Sequence, residues 1–258
     1  MRTVTATRYI TPLREGGSLP AVIEADDDGL YVLKFRGAGQ GRKALIAELL
    51  AGELARAAGL PVPEIVFVQL DAELARTEPD AEIQDLMRAS AGLNLALDYL
   101  PGSVAFDPLV HRLDADLASA IVWHDAFVSN VDRTPRNVNL LMWHRQVWLI
   151  DHGASLIFHH QWDGYLERST SPFPMIKDHV LFGQASRIAE ADARLVQRLS
   201  TEVMARIVEG VPDDWLEDTP HFNGPREQRA AYLRYLTARL QAPRRFVEEA
   251  LRARAVHI

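Results

Sequence analysis

The chain changes character near Leu100, and that switch constrains its fold more than any other feature. Up to this point, short runs rich in β-branched and aromatic residues ("VTATRYI", "AVIEA", "LYVLKF", "EIVFVQL", "LNLALDYL") alternate with glycine, proline and aspartate turns, which is how short strands read. Beyond "PGS", apolar residues recur at helical spacing in "ADLASAIVWHDAFVSN", "ASRIAEADARLVQRLSTEVMARIVEG", "PREQRAAYLRYLTARL" and, after Pro243, "RRFVEEALRARA". The expected architecture is α+β: a β-rich lobe over residues 1–100 with one main helix, and a mainly helical lobe over 101–258.

Within the first half, the "DDDG" turn predicts an antiparallel hairpin from Ala21 to Phe35. The stretch "ALIAELLAGELARAAGL" predicts the main helix, stopped by Gly59 with Pro61 and Pro63 beyond. A charged segment around "AEIQDLMRAS" reads as exposed and helical. In the second half one fragment departs from the helical text: "VNLLMWHRQVWLID" reads as two short strands around a His-Arg turn.

Composition removes several function classes. Hydrophobic residues at 48% and charged residues at 24% suit a globular protein with a real core. Thirty-five acidic against 28 basic side chains, a net charge of -7, leave no global basic field for nucleic acid or anionic lipid. With no cysteine there is neither a disulfide framework nor a thiolate metal site, in keeping with a reducing cytoplasm. No signal-peptide core and no run of 18 apolar residues occur, so a soluble, cytoplasmic protein without a membrane span is expected.

The chemistry concentrates in "NVDRTPRNVNLLMWHRQVWLIDHG", Asn130 to Gly153. Asp132 and Asn137 offer a carboxylate and an amide oxygen from one loop, and Asp151 adds a carboxylate after the next apolar runs. Mg²⁺ takes one or two such oxygens while keeping waters and phosphate oxygens, so phosphoryl transfer is the reaction class that fits. Asp and Asn are also ordinary turn residues, and the six-residue pattern alone reads more readily as a pair of turn caps. The rest of the chain tips the balance. Lys34 sits in the apolar strand "YVLKF" and Glu48 follows on the main helix; a kinase needs such a lysine on the phosphates and a helix glutamate to hold it. Separately, an edge-strand lysine and a solvated glutamate would be unremarkable. In the order Lys, Glu, Asp, Asn, Asp they are not.

These residues resemble the HipA-like kinases, an atypical branch of the protein-kinase-like fold related in its core to the phosphoinositide kinases. "NVDRTPRN" is similar to the family's N-x-D-x-H-x-x-N loop and to the D-R-H-x-x-N loop of the lipid kinases, and "IDHG" stands where their metal-binding D-x-G stands. "YVLKF" and "AELLAGELARAAGLPVPE" resemble the strand lysine and the following helix, with "GLPVP" matching a G-L-x-V-P ending. The resemblance spans Leu13 to Gly153. It implies a bilobal kinase-like fold and the use of ATP and Mg²⁺. Lys34 would touch the nucleotide phosphates with Glu48 as its support, Asp132 would orient or deprotonate the acceptor, and Asn137 with Asp151 would hold Mg²⁺. Gly16, Gly17 and Ser18 would cover the phosphates, and the backbone of Asp98, Tyr99 and Leu100 would form the adenine-binding hinge. Thr134 replaces the loop histidine and His152 the phenylalanine often found after the metal-binding aspartate.

Remaining features have plainer readings. Arg136 is a γ-phosphate contact or a solvated loop arginine. His159 and His160 are adjacent and point apart, without the spacing of a zinc site. The five tryptophans read as packing groups. The acceptor is expected to be a protein Ser or Thr hydroxyl; a small-molecule kinase, an AMP-transferring enzyme and a nucleotide-binding pseudokinase stay open.

Overall fold

The computed structural model describes residues 1–13, 19–39, 41–216 and 219–256. Strands β1 (Thr3–Pro12), β2 (Ala21–Ala25), β3 (Leu30–Lys34), β4 (Ile65–Leu70) and β5 (Gly92–Asp98) close into a barrel in the order β1-β2-β3-β5-β4. The β2–β3 hairpin follows from its turn: Asp28 takes φ +62° and the Gly29 N–H donates to Asp27 Oδ1 at 3.1 Å. Gly29 is required by closeness, since a Cβ there would lie 2.6 Å from the Tyr31 hydroxyl. Closure comes from parallel pairing of β1 with β4, a contact between segments far apart in the chain that no local turn signal announces.

Strand alternation divides the side chains between two cores. Tyr31, Leu33, Val66, Val68 and Ala96 fill the barrel, while Ile65, Leu95 and Leu97 join the leucines of helix α1 (Arg42–Ala57) in the larger core. Lys34 pairs directly with Leu95 across the sheet, and such pairs share a face, so Lys34 stands outside the barrel on the α1 side. Helix α1 buries Leu45, Leu49, Leu50 and Leu54, with Glu48 among them; each leucine stabilises by roughly 1.5–3 kcal/mol. The helix ends as predicted. Gly59 adopts φ +83°, its N–H donates to Arg56 O, and the Leu60 N–H donates to Ala55 O, both at 2.9 Å, which is a Schellman closure.

Helix α2 (Ala81–Ala89), capped by the Asp80 side chain on the Glu82 N–H, corrects the expectation of an exposed segment: Ile83 and Met87 are buried in the barrel core. Its charges occupy one face and its apolar residues the other.

In the second half, α3 (Ala115–Val128) is buried continuously from Ala118 to Val128, the pattern of a central helix. Helices α4 (Ile188–Arg198) and α7 (Arg245–Val256) pack on it, with α5 (Thr201–Glu209) and α6 (Pro225–Leu240) completing the lobe. The single helical stretch expected over α4 and α5 is broken at Leu199–Ser200, because Ser200 Oγ accepts the Val203 N–H at 3.3 Å and caps a new helix. The fragment after the Asp132 loop forms the expected hairpin, β7 (Leu140–Trp143) and β8 (Gln146–Leu149), around His144 and Arg145, both at positive φ. A short strand not foreseen, β6 (Val104–Ala105), pairs with β7. Between Ile157 and Gln184 the chain runs in short 3-10 turns. Trp123, Trp162 and Trp215 are buried. Trp215 joins the lobes, donating from Nε1 to Leu93 O at 3.1 Å and packing edge-on against Phe67. Among the described residues no helix is long and apolar enough to cross a membrane.

Candidate active site

Lys34 ends β3 on the face that meets α1, and its ammonium finds two carboxylates there. Lys34 Nζ lies 2.5 Å from Asp151 Oδ1 and 3.4 Å from Glu48 Oε2. The side chains of Lys34 and Glu48 are 11% and 1% exposed, whereas that of Asp151 is 38% exposed. Glu48 is therefore the buried strut and Asp151 the group that reaches solvent. Burial pulls the Lys34 pKa down, but Glu48 and Asp151 outweigh it and the net shift is upward. Burial likewise raises Glu48, and Lys34 together with His152 overcomes it, leaving the carboxyl below its ordinary value. Both groups stay charged at neutral pH.

Glu48 also fixes the loop that carries Asp151. The His152 N–H donates to Glu48 Oε2 at 2.8 Å, and His152 Nδ1 lies 3.5 Å from Oε1. Asp151 itself adopts φ +55°, a left-handed conformation that costs a non-glycine residue about 1–3 kcal/mol. The buried strut beneath it holds the strained carboxylate in place.

Asp132 lies on the loop after α3. Asn130 Oδ1 accepts the Asp132 N–H at 3.0 Å, an Asx turn that sets the loop's direction. Asp132 Oδ2 accepts from Asn137 Nδ2 at 2.6 Å and from Asn139 Nδ2 at 3.1 Å. A carboxylate can only accept, so both amide nitrogens must face it and both amide oxygens turn away. The Asn137 oxygen, Asp132 Oδ1 and Asp151 Oδ2 make no hydrogen bond among the described residues. The two half-sites are joined through the backbone, with the Ile150 N–H donating to Asn139 O at 3.2 Å.

The donor set fits a Mg²⁺ ion of the phosphoryl-transfer kind. Asn137 and Asp151 can supply one neutral and one anionic oxygen, and such an ion takes the rest from waters and phosphates. Among the described residues there is no group of three or more His, Asp or Glu side chains placed to cage a metal. His159 instead bonds from Nδ1 to the Tyr232 hydroxyl at 3.0 Å, buried.

The structure thus brings Lys34, Glu48 and Asp151 into direct contact, and Asp132 and Asn137 likewise. At the expected hinge, the Asp98 N–H already donates to Glu64 O and the Tyr99 N–H to Leu30 O, at 2.8 and 2.9 Å, whereas the N–H of the buried residue Leu100 has no acceptor among the described residues. Gly16, Gly17 and Ser18 lie outside the described residues. Arg136 is exposed. Sequence reasoning missed Asn139, whose signal was a second asparagine two residues after Asn137, and gave no role to Asn130, which sits two before Asp132. A cavity of about 260 Å³ elsewhere in the helical lobe, between Ser129, Phe158, Arg168 and Arg239, includes none of these groups.

Comparison with known proteins gives a consistent picture. The family model described as "HipA-like kinase" matches residues 7–246. Among solved structures, the Helicobacter pylori proinflammatory kinase CtkA is similar with a TM-score of 0.57 and 13% identity, covering 99% of both chains. The Golgi casein kinase with Mn/ADP bound is similar with a TM-score of 0.50 and 12% identity, covering 95% of this chain and 75% of that one. At such identities the likeness is one of fold, and the fold is the bilobal kinase-like one. No curated protein matches.

Proposed function

The chain belongs to the HipA-like kinase family, and from that premise we propose that it is an ATP- and Mg²⁺-dependent phosphotransferase that delivers the γ-phosphoryl group to a hydroxyl, foremost a protein Ser or Thr. The observation that carries this reading is the Lys34, Glu48 and Asp151 contact, bonded through Ile150 and Asn139 to the loop that bears Asp132 and Asn137. A nucleotide-bound state of a similar fold, the Golgi casein kinase with Mn/ADP, supports nucleotide and divalent metal use here.

Each residue then has a physical task. Lys34, charged and braced by Glu48, neutralises the nucleotide phosphates. The Leu100 N–H is the hinge donor left for the base, and the lobes would divide there. Asp132 Oδ1 receives the acceptor's proton as the hydroxyl oxygen bonds to the γ-phosphorus and the bridging oxygen leaves with ADP, while Asn137 and Asn139 keep the carboxylate aimed. Asn137 and Asp151 would hold the metal, which when bound supplies charge neutralisation on the phosphate oxygens. Ground-state binding needs Lys34 and the hinge but not the Asp132 charge.

Asp132→Asn therefore abolishes transfer while ATP affinity stays within about threefold, the signature of a group used in the transition state. Undiminished turnover in this variant rules out the role. Labelled γ-phosphate ATP incubated with lysate of the source cell identifies the acceptor, and retention of label on a small molecule replaces the protein-hydroxyl reading with a metabolite kinase.

A further inference from the structure

A second ionic cluster, built from buried side chains, lies behind the Asp132 loop. Arg133, the residue after Asp132, donates from Nε to Asp125 Oδ2 at 2.6 Å, and both side chains are 0% exposed. Asp125 belongs to the last turn of α3. Its Oδ1 accepts from Asn130 Nδ2 at 3.1 Å, and its Oδ2 takes a second bond from His179 Nε2 at 2.8 Å. The tautomer follows from the other ring nitrogen. The Leu181 N–H donates to His179 Nδ1 at 3.0 Å, so Nδ1 carries the lone pair and Nε2 carries the proton. His179 is a neutral donor, and the cluster balances one carboxylate against one guanidinium.

The far end of Arg133 reaches the site. Its NH1 donates to Asn139 O and to Ile150 O, the latter at 3.2 Å. Asn139 is the residue whose amide holds Asp132, and Ile150 precedes Asp151. The Arg133 carbonyl in turn accepts the Val180 N–H at 3.1 Å. One guanidinium is thus bonded to α3, to the strut of the proposed base and to the backbone beside the proposed metal aspartate. A buried ion pair contributes little net stability after desolvation, so its strength does not explain its presence. What it fixes is the spacing between the Asp132 loop and the Asp151 loop.

We propose that Asp125, Arg133 and His179 form a positioning unit for phosphoryl transfer, in which Arg133 sets the Asp132 carboxylate relative to Asp151 and the His179 segment locks Arg133 from behind. The inference rests on the reading of Asp132 and Asp151 given above. None of the three touches substrate. Their loss therefore lowers the rate of the chemical step and leaves nucleotide binding through Lys34 and Leu100 largely intact.

The test compares steady-state kinetics of the full chain in four variants, each scaled to the fraction that binds ATP. Arg133→Lys keeps the charge but cannot span three acceptors; its kcat falls about 10- to 100-fold, the range for residues that orient a first contact layer, with KM for ATP within about threefold. His179→Leu removes the donor to Asp125 and lowers kcat about tenfold, and His179→Gln, which restores a donor, recovers most of it. If Arg133→Lys does not fold, the His179 pair decides. Equal kcat in His179→Leu and His179→Gln, or wild-type kcat in Arg133→Lys, overturns the proposal, since a cluster that merely stabilises the fold would change the melting temperature alone. Asp132→Asn is the control: turnover retained there refutes the base assignment, whatever the other variants do.

Discussion

Glu48 shows how one residue can serve both fold and site. It replaces an apolar group in the core face of α1, and its carboxylate is shared between Lys34 Nζ and the His152 N–H. Glu48→Gln keeps an acceptor for His152 but leaves the buried ammonium dependent on Asp151, and a charged hydrogen bond of this kind contributes about 1.5–3 kcal/mol. Urea denaturation should show a loss in that range, and a double-mutant cycle with Lys34→Met should give a coupling above about 1 kcal/mol; additive effects would mean the pair is not an interacting unit. Lys34, Glu48, Asp132, Asn137 and Asp151, which the fold brings into two adjoining clusters, are marked in the sequence by their order along the chain and by the motifs they sit in, not by the setting of any one of them. Asp125 and Arg133 were not, since a carboxylate in a helical repeat and an arginine in a loop look like solvated residues until the fold buries them together. Asn139 has only its closeness to Asn137 to mark it in the sequence.

At the level of elements, caps and turns govern what the sequence discloses. The end of α1, the β2–β3 hairpin and the β7–β8 turn were readable because Gly59, Gly29 and the His-Arg pair act locally. The break at Ser200 was missed because helical periodicity runs through it, and the apolar face of α2 because two residues, Ile83 and Met87, make it. Barrel closure depends on β1 meeting β4, a non-local contact with no turn to mark it. Gly59 is the sharpest test at this scale. Its φ of +83° is one that L side chains rarely adopt, and a Cβ there would lie on Arg198 NH1, which donates to Ala58 O at 2.6 Å. Gly59→Ala should cost at least about 1–2 kcal/mol, seen as a lower urea midpoint with an unchanged slope. A neutral effect would show that α1 ends some other way.

For the whole molecule, buried histidines set the response to acid. Burial pulls His124 to about 3, and His159 and His179 are also held below their ordinary value, again chiefly by burial. The unfolded chain takes up protons near the ordinary value of 6.5 that the folded chain refuses, so stability falls as pH drops below that point. For His124, held at about 3, the slope approaches about 1.4 kcal/mol per pH unit. The melting temperature should therefore decline steeply from pH 7 to pH 5, and less steeply in His124→Gln; a flat profile contradicts the burial of neutral imidazoles. The most direct test of the molecule as a kinase uses two ATP samples in parallel, one labelled at the γ-phosphate and one at the α-phosphate, with the full chain, Mg²⁺ and source-cell lysate. The account predicts that γ label reaches an acceptor, that α label does not, and that both are silent in Asp151→Asn. Transfer of the α label, or no transfer by a wild-type chain that demonstrably binds ATP, would contradict it.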